Sequence, residues 1–191
     1  MKIRLMTAED APKIAGVLNR EIESGVAHFS TALTDATEVL GDWRRAGERY
    51  PWLVAEGDSG AFLGFARGSS WNPREAYLWT VATAIYLVPE ACGRGVGGML
   101  YRRLFAVLGE QGFRVAIAGV SVPNPASERL HESVGMSAIG EIDPAGYKHG
   151  RWVPVRWYQK RIGVCEDKAD PGPIWAVSGV WARMEQERAH A

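Results

Sequence analysis

Length, composition and charge limit what this chain of 191 residues can be. Hydrophobic residues make up 47% of it and charged residues 23%, which predicts one main domain with a well-filled core. Because 22 basic residues balance 22 acidic ones, no overall positive field draws the protein to nucleic acid or to an anionic membrane. A small neutral or mixed-charge ligand is therefore expected.

The cysteines and the N-terminal residues indicate an intracellular protein. Cys92 and Cys165 are far apart and have no CxxC or Cys/His ligand spacing beside them, so neither a disulfide framework nor a metal site is predicted. Residues 1–14 lack the apolar core of a signal peptide, and no run of about 18 apolar residues occurs. We predict a cytoplasmic protein.

Hydrophobic spacing predicts alternating strands and helices, followed by strands that pair locally. The elements before the middle of the chain are a strand at 3–6, a helix capped by Thr7 with Ile14, Val17, Leu18 and Ile22 on one face, a second helix capped by Thr34 that runs to about Arg49, a β-hairpin at 51–56 and 61–68, and a longer strand from about Ala76 to Val88. The later elements are a helix from Met99 that carries Leu100, Leu104 and Leu108, a strand at 112–120, a short helix within 123–135, and strands near 136–142 and 152–160.

The segment VPEACGRGVGG, residues 88–98, joins the long strand to a helix through four glycines. Glycines let the main chain approach a ligand closely, and amides at a helix N-terminus favour phosphate or pyrophosphate. Gly93, Gly95 and Gly98 satisfy GxGxxG, but the acidic residue expected about 20 positions later is absent and the loop lies in the middle of the chain. No Gly-Lys-Ser/Thr follows, so a triphosphate loop is excluded. A glycine turn without a ligand is the alternative.

Three segments in this order resemble the GNAT acyltransferases, most closely their phosphinothricin N-acetyltransferase branch. They are IYLVPEACGRGVGGMLYRRL, AIAGVSVPNPASERLHESVGM and GYKHGRWVPVRWYQK, and the likeness covers about residues 2–160. The resemblance implies an α/β (α+β) fold at residues 1–163, with a central mixed, mostly antiparallel splayed sheet flanked by helices. It also implies acetyl-CoA as co-substrate, no metal, a small-molecule amine acceptor and a homodimer.

The resemblance assigns the acetyl-CoA contacts to two parts of the chain. These are the strand and loop residues Ile85, Tyr86, Leu87, Gly93, Arg94, Gly95, Val96, Gly97 and Gly98, and then Asn124 and Ser127. Cys92 stands where the family usually has Gln or Arg. Because backbone amides supply most of the grip on the pyrophosphate, we expect only one side-chain contact to be lost.

The resemblance also assigns residues to the reaction and to the acceptor. His131 lies where many GNAT enzymes place the tyrosine that protonates the departing thiolate, and Tyr86 is the second catalytic candidate; a packed helix histidine is the alternative for His131. The acceptor-binding candidates are Phe29, Arg74, Tyr77, Ala82 and Lys148. Arg74 as a solvated loop charge, and Lys148 and Trp152 as purely structural residues, remain open.

The departures from the branch make the acceptor doubtful. Ala82 replaces the glutamate that serves as general base, Ser30 and Ala32 replace an arginine and a glutamate, and Asn72 replaces a lysine. An alkyl amine with a pKa near 10 is mostly protonated at neutral pH, and a general base contributes about 10²- to 10⁴-fold. Three explanations are open: an acceptor of low pKa, another base such as Glu75 or a water chain ending on His131, or lost catalysis.

The sequence thus predicts an acetyl-CoA-dependent N-acetyltransferase that works by direct transfer to a small primary amine or an amino-acid-like compound. A CoA-binding protein of the same fold without turnover is the alternative. Residues 164–191 form an extension in which Val177, Trp181 and Met184 have helical spacing. We expect this extension to be either a docking helix or a disordered tail.

Overall fold

The computed structural model describes residues 1–163 and 171–190. Its strands are β1 (Lys2–Leu5), β2 (Trp52–Glu56), β3 (Phe62–Ser70), β4 (Thr80–Leu87), β5 (Val115–Ser121), β6 (Ser137–Lys148) and β7 (Arg151–Arg161). Its α-helices are α1 (Ala11–Glu23), α2 (Ala36–Ala46), α3 (Val96–Gln111), α4 (Pro125–Ser133) and α5 (Val177–Ala189). None of the helices in these two ranges is long and apolar enough to cross a membrane.

The strands form one sheet in the order β1-β2-β3-β4-β5-β7-β6. β4 and β5 are parallel, and the other neighbouring pairs are antiparallel. β4 and β5 pair only from Thr80 with Val115 to Ala82 with Ile117, and then run apart to Leu87 and Ser121. The predicted mixed, mostly antiparallel splayed sheet is thereby confirmed, and its opening lies between β4 and β5.

Helices cover both faces of the sheet because successive strand residues point to opposite sides. On β3, Phe65 belongs to the core cluster beneath α1 and α2, while Ala66 belongs to the cluster beneath α3. The leucines that predicted α3 are fully buried in this second cluster, and Ile14 of α1 is fully buried in the first. The layered α/β arrangement follows from these two apolar helix faces.

Several element boundaries differ from the prediction. Residues 75–77 form a 3-10 turn, so the long strand begins at Thr80 and not at Ala76. Asp35, not Thr34, caps α2, because its carboxylate accepts the backbone N–H of Glu38 at 2.9 Å. α3 begins at Val96, since Gly95 already caps it. β6 and β7 are longer than predicted and form a broad antiparallel pair at the sheet edge.

The C-terminal helix α5 packs against α3. Val177 and Val180 are buried, and the Arg103 guanidinium lies 4.5 Å above the Trp181 ring while forming an ion pair with Glu185. Cys165 and the rest of the connector at 164–170 lie outside the described residues, as does residue 191.

Candidate active site

A narrow cavity occupies the opening between β4 and β5. Its volume is about 60 Å³. The lining residues come from the loop after α1, both splayed strands, α3 and α4; they are Ala27, Thr83, Ala84, Ile85, Tyr86, Tyr101, Gly119, Val120, Ser121, Asn124, Ser127 and His131. Because β5 does not pair with β4 beyond Ala82, the main chain of β4 is open to a ligand on this side.

A wide cavity of about 470 Å³ adjoins it on the α1 side of the sheet. Its lining residues are Ala27, Phe29, Arg67, Ser69, Trp71, Ala82, Thr83, Ala84, Ile117, Ala118, Gly119, Ser121, Ile142, Ala145, Val155 and Trp157. Arg67 is the one charged side chain among these described residues, and no carboxylate lines the cavity. A cavity of this size holds an amino-acid-sized molecule.

The two cavities share a wall at the point where the strands separate. Ala27, Thr83, Ala84, Gly119 and Ser121 line both of them. A molecule in the narrow cavity and a molecule in the wide cavity would therefore meet at this wall. Such an arrangement suits a group transfer between two bound reactants.

Ala82 lies where the sequence comparison with the branch expected a general base. It lines the wide cavity between Ser69 of β3 and Ile117 of β5. Phe29 also lines this cavity. Arg74 and Tyr77 do not: both are exposed around the 3-10 turn, and so is the alternative base Glu75.

Lys148 does not reach either cavity, in contrast to its predicted contact with the acceptor. Its buried ammonium donates to the backbone carbonyls of Glu21, Gly25 and His28 at 2.6, 2.8 and 2.7 Å. Three acceptors use all three of its protons, so Lys148 holds the loop after α1 in place. Burial lowers the pKa of this ammonium. These contacts favour the structural alternative for Lys148.

Gly146 of the same segment makes room for the ring of Phe29. A Cβ atom at Gly146 would lie 2.5 Å from Phe29 Cε2. The Nε2 atom of His149 lies 3.1 Å from the carbonyl oxygen of Gly25. The segment GYKHGRW therefore holds the loop after α1, and with it Phe29, in its position at the wide cavity.

His131 is buried beside the narrow cavity, and both of its ring nitrogens are engaged. Nδ1 lies 2.7 Å from the carbonyl oxygen of Ser127, which can only accept, so Nδ1 carries the proton. Nε2 then accepts from the hydroxyl of Tyr101 at 3.1 Å. Burial lowers the pKa of His131, although the Ser127 carbonyl opposes this, and the ring is neutral at pH 7.

This tautomer changes what His131 can do. A neutral ring whose Nε2 accepts the hydrogen bond of Tyr101 can take up the proton of that hydroxyl, but it has no proton on Nε2 to donate. Tyr101 lines the same narrow cavity as His131, and sequence reasoning missed it because it looks like one more core residue of α3. Burial raises its pKa, so its hydroxyl remains protonated.

Tyr86 and Ile85 line the narrow cavity, whereas Leu87 turns into the core beneath α3. The Tyr86 ring stacks on Phe65 at 5.6 Å, and its hydroxyl donates to the carbonyl of Ala27 at 3.4 Å. Burial raises the pKa of Tyr86 to about 12. Tyr86 therefore offers a hydrogen-bond donor and not a base at neutral pH.

The glycine loop leaves the N-terminus of α3 open. Gly93 and Gly95 have φ angles of +71° and +78°, which glycine adopts without strain, and a Cβ atom added at either meets nothing within 4 Å. No side chain caps α3 at Gly95, and the first amides of a helix, here from Val96 to Gly98, have no partner within the helix. Arg94 is exposed and donates to the carbonyl of Glu90 at 3.3 Å. The loop thus brings together unpaired backbone amides, the positive end of the α3 dipole and room for a ligand.

Gly97 serves a different purpose from the neighbouring glycines. A Cβ atom there would lie 3.0 Å from the Leu130 side chain of α4 and 3.4 Å from that of Leu87. The glycine allows α3 to pack closely against α4. At Gly98 the nearest atoms belong to the flexible Arg102 side chain, at 3.3 Å.

Asn124 and Ser127 form the start of α4 at the rim of the narrow cavity. The Asn124 side-chain oxygen accepts a hydrogen bond from the backbone N–H of Ser127 at 3.1 Å. The backbone N–H of Asn124 donates to Glu128 Oε1, also at 3.1 Å. With this oxygen engaged, Asn124 would meet a ligand through its side-chain NH₂ group. The cap also orients the turn that carries His131.

A splayed sheet, an open helix N-terminus that suits a phosphate group and two cavities with a shared wall fit an enzyme that transfers a group between two bound reactants. The chain matches the acetyltransferase (GNAT) family over residues 17–136, and it belongs to that family.

Its relatives agree with this assignment. It is 36% identical over 180 residues to a phosphinothricin N-acetyltransferase of Streptomyces viridochromogenes, covering 94% of this chain and 96% of the relative. It is 29% identical to an L-methionine sulfoximine/L-methionine sulfone acetyltransferase of Salmonella typhimurium, covering 85% and 95%. Its fold matches a phosphinothricin acetyltransferase of Sinorhizobium meliloti in complex with AcCoA, with a TM-score of 0.81, 32% identity and coverage of 85% and 88%. The chain is an N-acetyltransferase with acetyl-CoA as co-substrate.

Proposed function

We propose that the protein transfers an acetyl group from acetyl-CoA to the amine of a small, amino-acid-like molecule that binds in the wide cavity. The carrying observation is the wall that the two cavities share at the splay. The pyrophosphate of the co-substrate fits the open amides at Gly95, and its thiol arm fits the narrow cavity beside Tyr86. Acetyl-CoA supplies the acetyl group as a reactive thioester.

Arg67 supports an acidic group on the acceptor. Its guanidinium stacks over the Trp52 ring at 4.6 Å and lies 3.7 Å from the Asp42 carboxylate, so it is held at the cavity wall. We assign to Arg67 the acceptor-binding role expected of Arg74, because Arg74 is exposed and does not line the wide cavity. The signal for it in the sequence was a single charge within the apolar strand FLGFARGSS.

Loss of the amine proton is the chemical problem at this site, because no carboxylate of residues 1–163 and 171–190 lines the wide cavity. An acceptor of low pKa, such as a hydrazine, a hydroxylamine or an aromatic amine, attacks as the neutral base and needs no carboxylate. This acceptor class is our first choice. Our second choice is another base for the amine proton. Glu75 is exposed and does not line the wide cavity, so the Tyr101–His131 pair is the candidate for this role.

The Tyr101–His131 pair can move the proton from nitrogen to sulfur. Tyr101 passes its proton to Nε2 of the neutral ring as it takes up the proton of the amine, and the reverse movement protonates the thiolate. The nitrogen–carbon bond forms, the carbon–sulfur bond breaks, and an amide and a thiol leave. No covalent intermediate with the protein is needed.

The release of free thiol from acetyl-CoA by the purified protein tests the function. The panel contains phosphinothricin, methionine sulfoximine, ordinary amino acids, and hydrazines and alkyl amines of matched shape, with product masses to identify transfer. Faster turnover of the low-pKa amines at neutral pH is expected. The opposite ranking would refute the low-pKa proposal, and binding of acetyl-CoA without turnover of any amine would favour the non-catalytic alternative that the missing carboxylate suggests.

Replacing Tyr101 by Phe should lower kcat about 10²-fold, with little change in the KM for acetyl-CoA, because the relay loses its middle hydroxyl. The ring that stacks on Phe105 at 5.0 Å is kept. Tyr86→Phe is the matched control: it removes another hydroxyl from the same cavity that does not contact His131. An unchanged kcat in Tyr101→Phe would contradict the relay.

We also propose that the protein forms a homodimer through the edge formed by β6 and the start of β7. This edge strand and its neighbour expose Ile139, Ile142, Tyr147 and Trp152, the last two at about 60%. Exposed apolar side chains along a strand edge favour pairing with another copy. Light scattering should give twice the 20.9 kDa mass of one chain, and a single-chain mass at assay concentration would contradict the dimer. A cytoplasmic location stays a prediction from the sequence.

A further inference from the structure

We propose that Ser121 is a catalytic residue whose hydroxyl oxygen accepts a hydrogen bond from the attacking amine and directs its lone pair at the thioester. The inference rests on the proposed function and names a residue of that same site. It answers how a site without a carboxylate can hold a neutral amine for attack.

The first observation is an unsatisfied buried hydroxyl. Ser121 is 5% exposed, and its Oγ has no hydrogen-bond partner among the described residues. Buried hydroxyl groups almost always have a partner, because an unpaired one costs about 1–3 kcal/mol. An unpaired hydroxyl at a ligand cavity is explained by a ligand that completes it.

The second observation is its place in the sheet. Strand alternation puts Ile117, Gly119 and Ser121 on the face of β5 that borders the wide cavity. Ala116 and Val120 belong to the core cluster on the opposite face. Ser121 ends the strand on the wall that both cavities share. Ser121 is therefore at the boundary between the two proposed reactants.

Two other hydroxyl groups near this wall already have partners. Thr83 uses its hydroxyl proton on the carbonyl of Ile117 at 3.2 Å, and Tyr101 donates to His131. The other buried unpaired atoms of the described chain belong to Trp52, Gln111 and Tyr158, which line neither cavity. Ser121 combines an unpaired hydroxyl with a position on the shared wall.

The chemistry needs no change in Ser121 itself. One N–H of the neutral amine donates to Oγ, which keeps its own proton. The nitrogen lone pair then forms the bond to the carbonyl carbon, the carbon–sulfur bond breaks, and the amine's second proton goes to sulfur. Alignment of a reacting lone pair is a recognised source of rate acceleration.

The test compares Ser121→Ala with Ser70→Ala, the same change at an exposed residue at the end of β3 that lines neither cavity. Ser121→Ala should lower kcat/KM for the amine about tenfold, which corresponds to loss of one neutral hydrogen bond. The Kd for acetyl-CoA should stay the same, and the Tm should not fall, because an unpaired buried hydroxyl is removed. Ser70→Ala should retain the wild-type kcat/KM, because its side chain is exposed and lines neither cavity.

Several results would overturn the proposal. They are an unchanged kcat/KM in Ser121→Ala, an equal loss in Ser70→Ala, or a loss accompanied by weaker acetyl-CoA binding and a lower Tm. If Ser121→Ala does not fold, Ser121→Cys takes its place, with an intermediate loss expected from the weaker acceptor. If the wild-type protein acetylates no amine, the proposed function fails; calorimetric binding of phosphinothricin in the presence of CoA then decides for Ser121, and equal affinities for both variants would refute it.

Discussion

Ala82→Glu should accelerate acetylation of alkyl amines about 10²-fold at neutral pH. Ala82 lines the wide cavity between Ser69 and Ile117, so a carboxylate there faces the bound acceptor. A general base contributes about 10²- to 10⁴-fold when the attacking group must lose a proton, and an alkyl ammonium must. Amines of low pKa are already neutral and should gain little. Thiol release with matched amines at pH 7 measures both effects.

The control for this change is Ala82→Gln, which has the same size but cannot act as a base. It separates the gain due to the carboxylate from any effect of filling the cavity. Equal rates of alkyl amine acetylation in the Glu and Gln variants would show that the missing carboxylate does not limit the reaction. The ratio of the acetylation rates of the two variants therefore measures how far removal of the amine proton limits the reaction.

Gly95→Asp should weaken the binding of acetyl-CoA about 100-fold relative to Gly95→Asn. Asp and Asn tolerate the left-handed backbone at this position better than other residues with a side chain, and an added Cβ meets no protein atom within 4 Å. Only the Asp side chain brings a negative charge to the N-terminus of α3, where the pyrophosphate is proposed to bind. Repulsion at about 4 Å is worth a few kcal/mol near a protein surface.

Calorimetric titration of both Gly95 variants with acetyl-CoA measures this effect, and it should shrink at high salt because the interaction is electrostatic. Similar melting temperatures for the two variants would establish that they fold alike. If Asp and Asn bound acetyl-CoA equally well, the pyrophosphate would have to lie elsewhere than at the open amides of α3.

Most of the fold was predictable because it depends on local patterns. The repeat of Leu100, Leu104 and Leu108 indicated a helix with one buried face, and the turn residues between 56 and 61 indicated a hairpin. Boundaries were less certain: apolar residues continue before Thr80, but residues 75–77 turn before the strand begins. Pattern alone does not distinguish a strand from a turn that enters it.

The site was only partly predictable. The glycine loop and Asn124 stand in continuous motifs, and the structure brings Ala82, Phe29 and Tyr86 to the cavities. Arg74, Tyr77 and Lys148 carry suitable chemistry but lie outside the lining, since the first two are on an exposed turn and the third is saturated by carbonyl groups. Side-chain chemistry in a sequence does not say which groups are already paired.

The sequence by itself carried the motifs whose resemblance implied the family and the splayed sheet, and it placed alanine, at Ala82, where that family has a glutamate, because each depends on residue type and order along the chain. The tertiary structure alone decided that Tyr101 bonds to His131 and that Ser121 lies unpaired on the wall between two cavities. These residues are brought together from α3, α4 and β5 by the packing of helices on the sheet. Hydrogen bonding between distant segments is a property of that packing, so it appears only once the chain is folded.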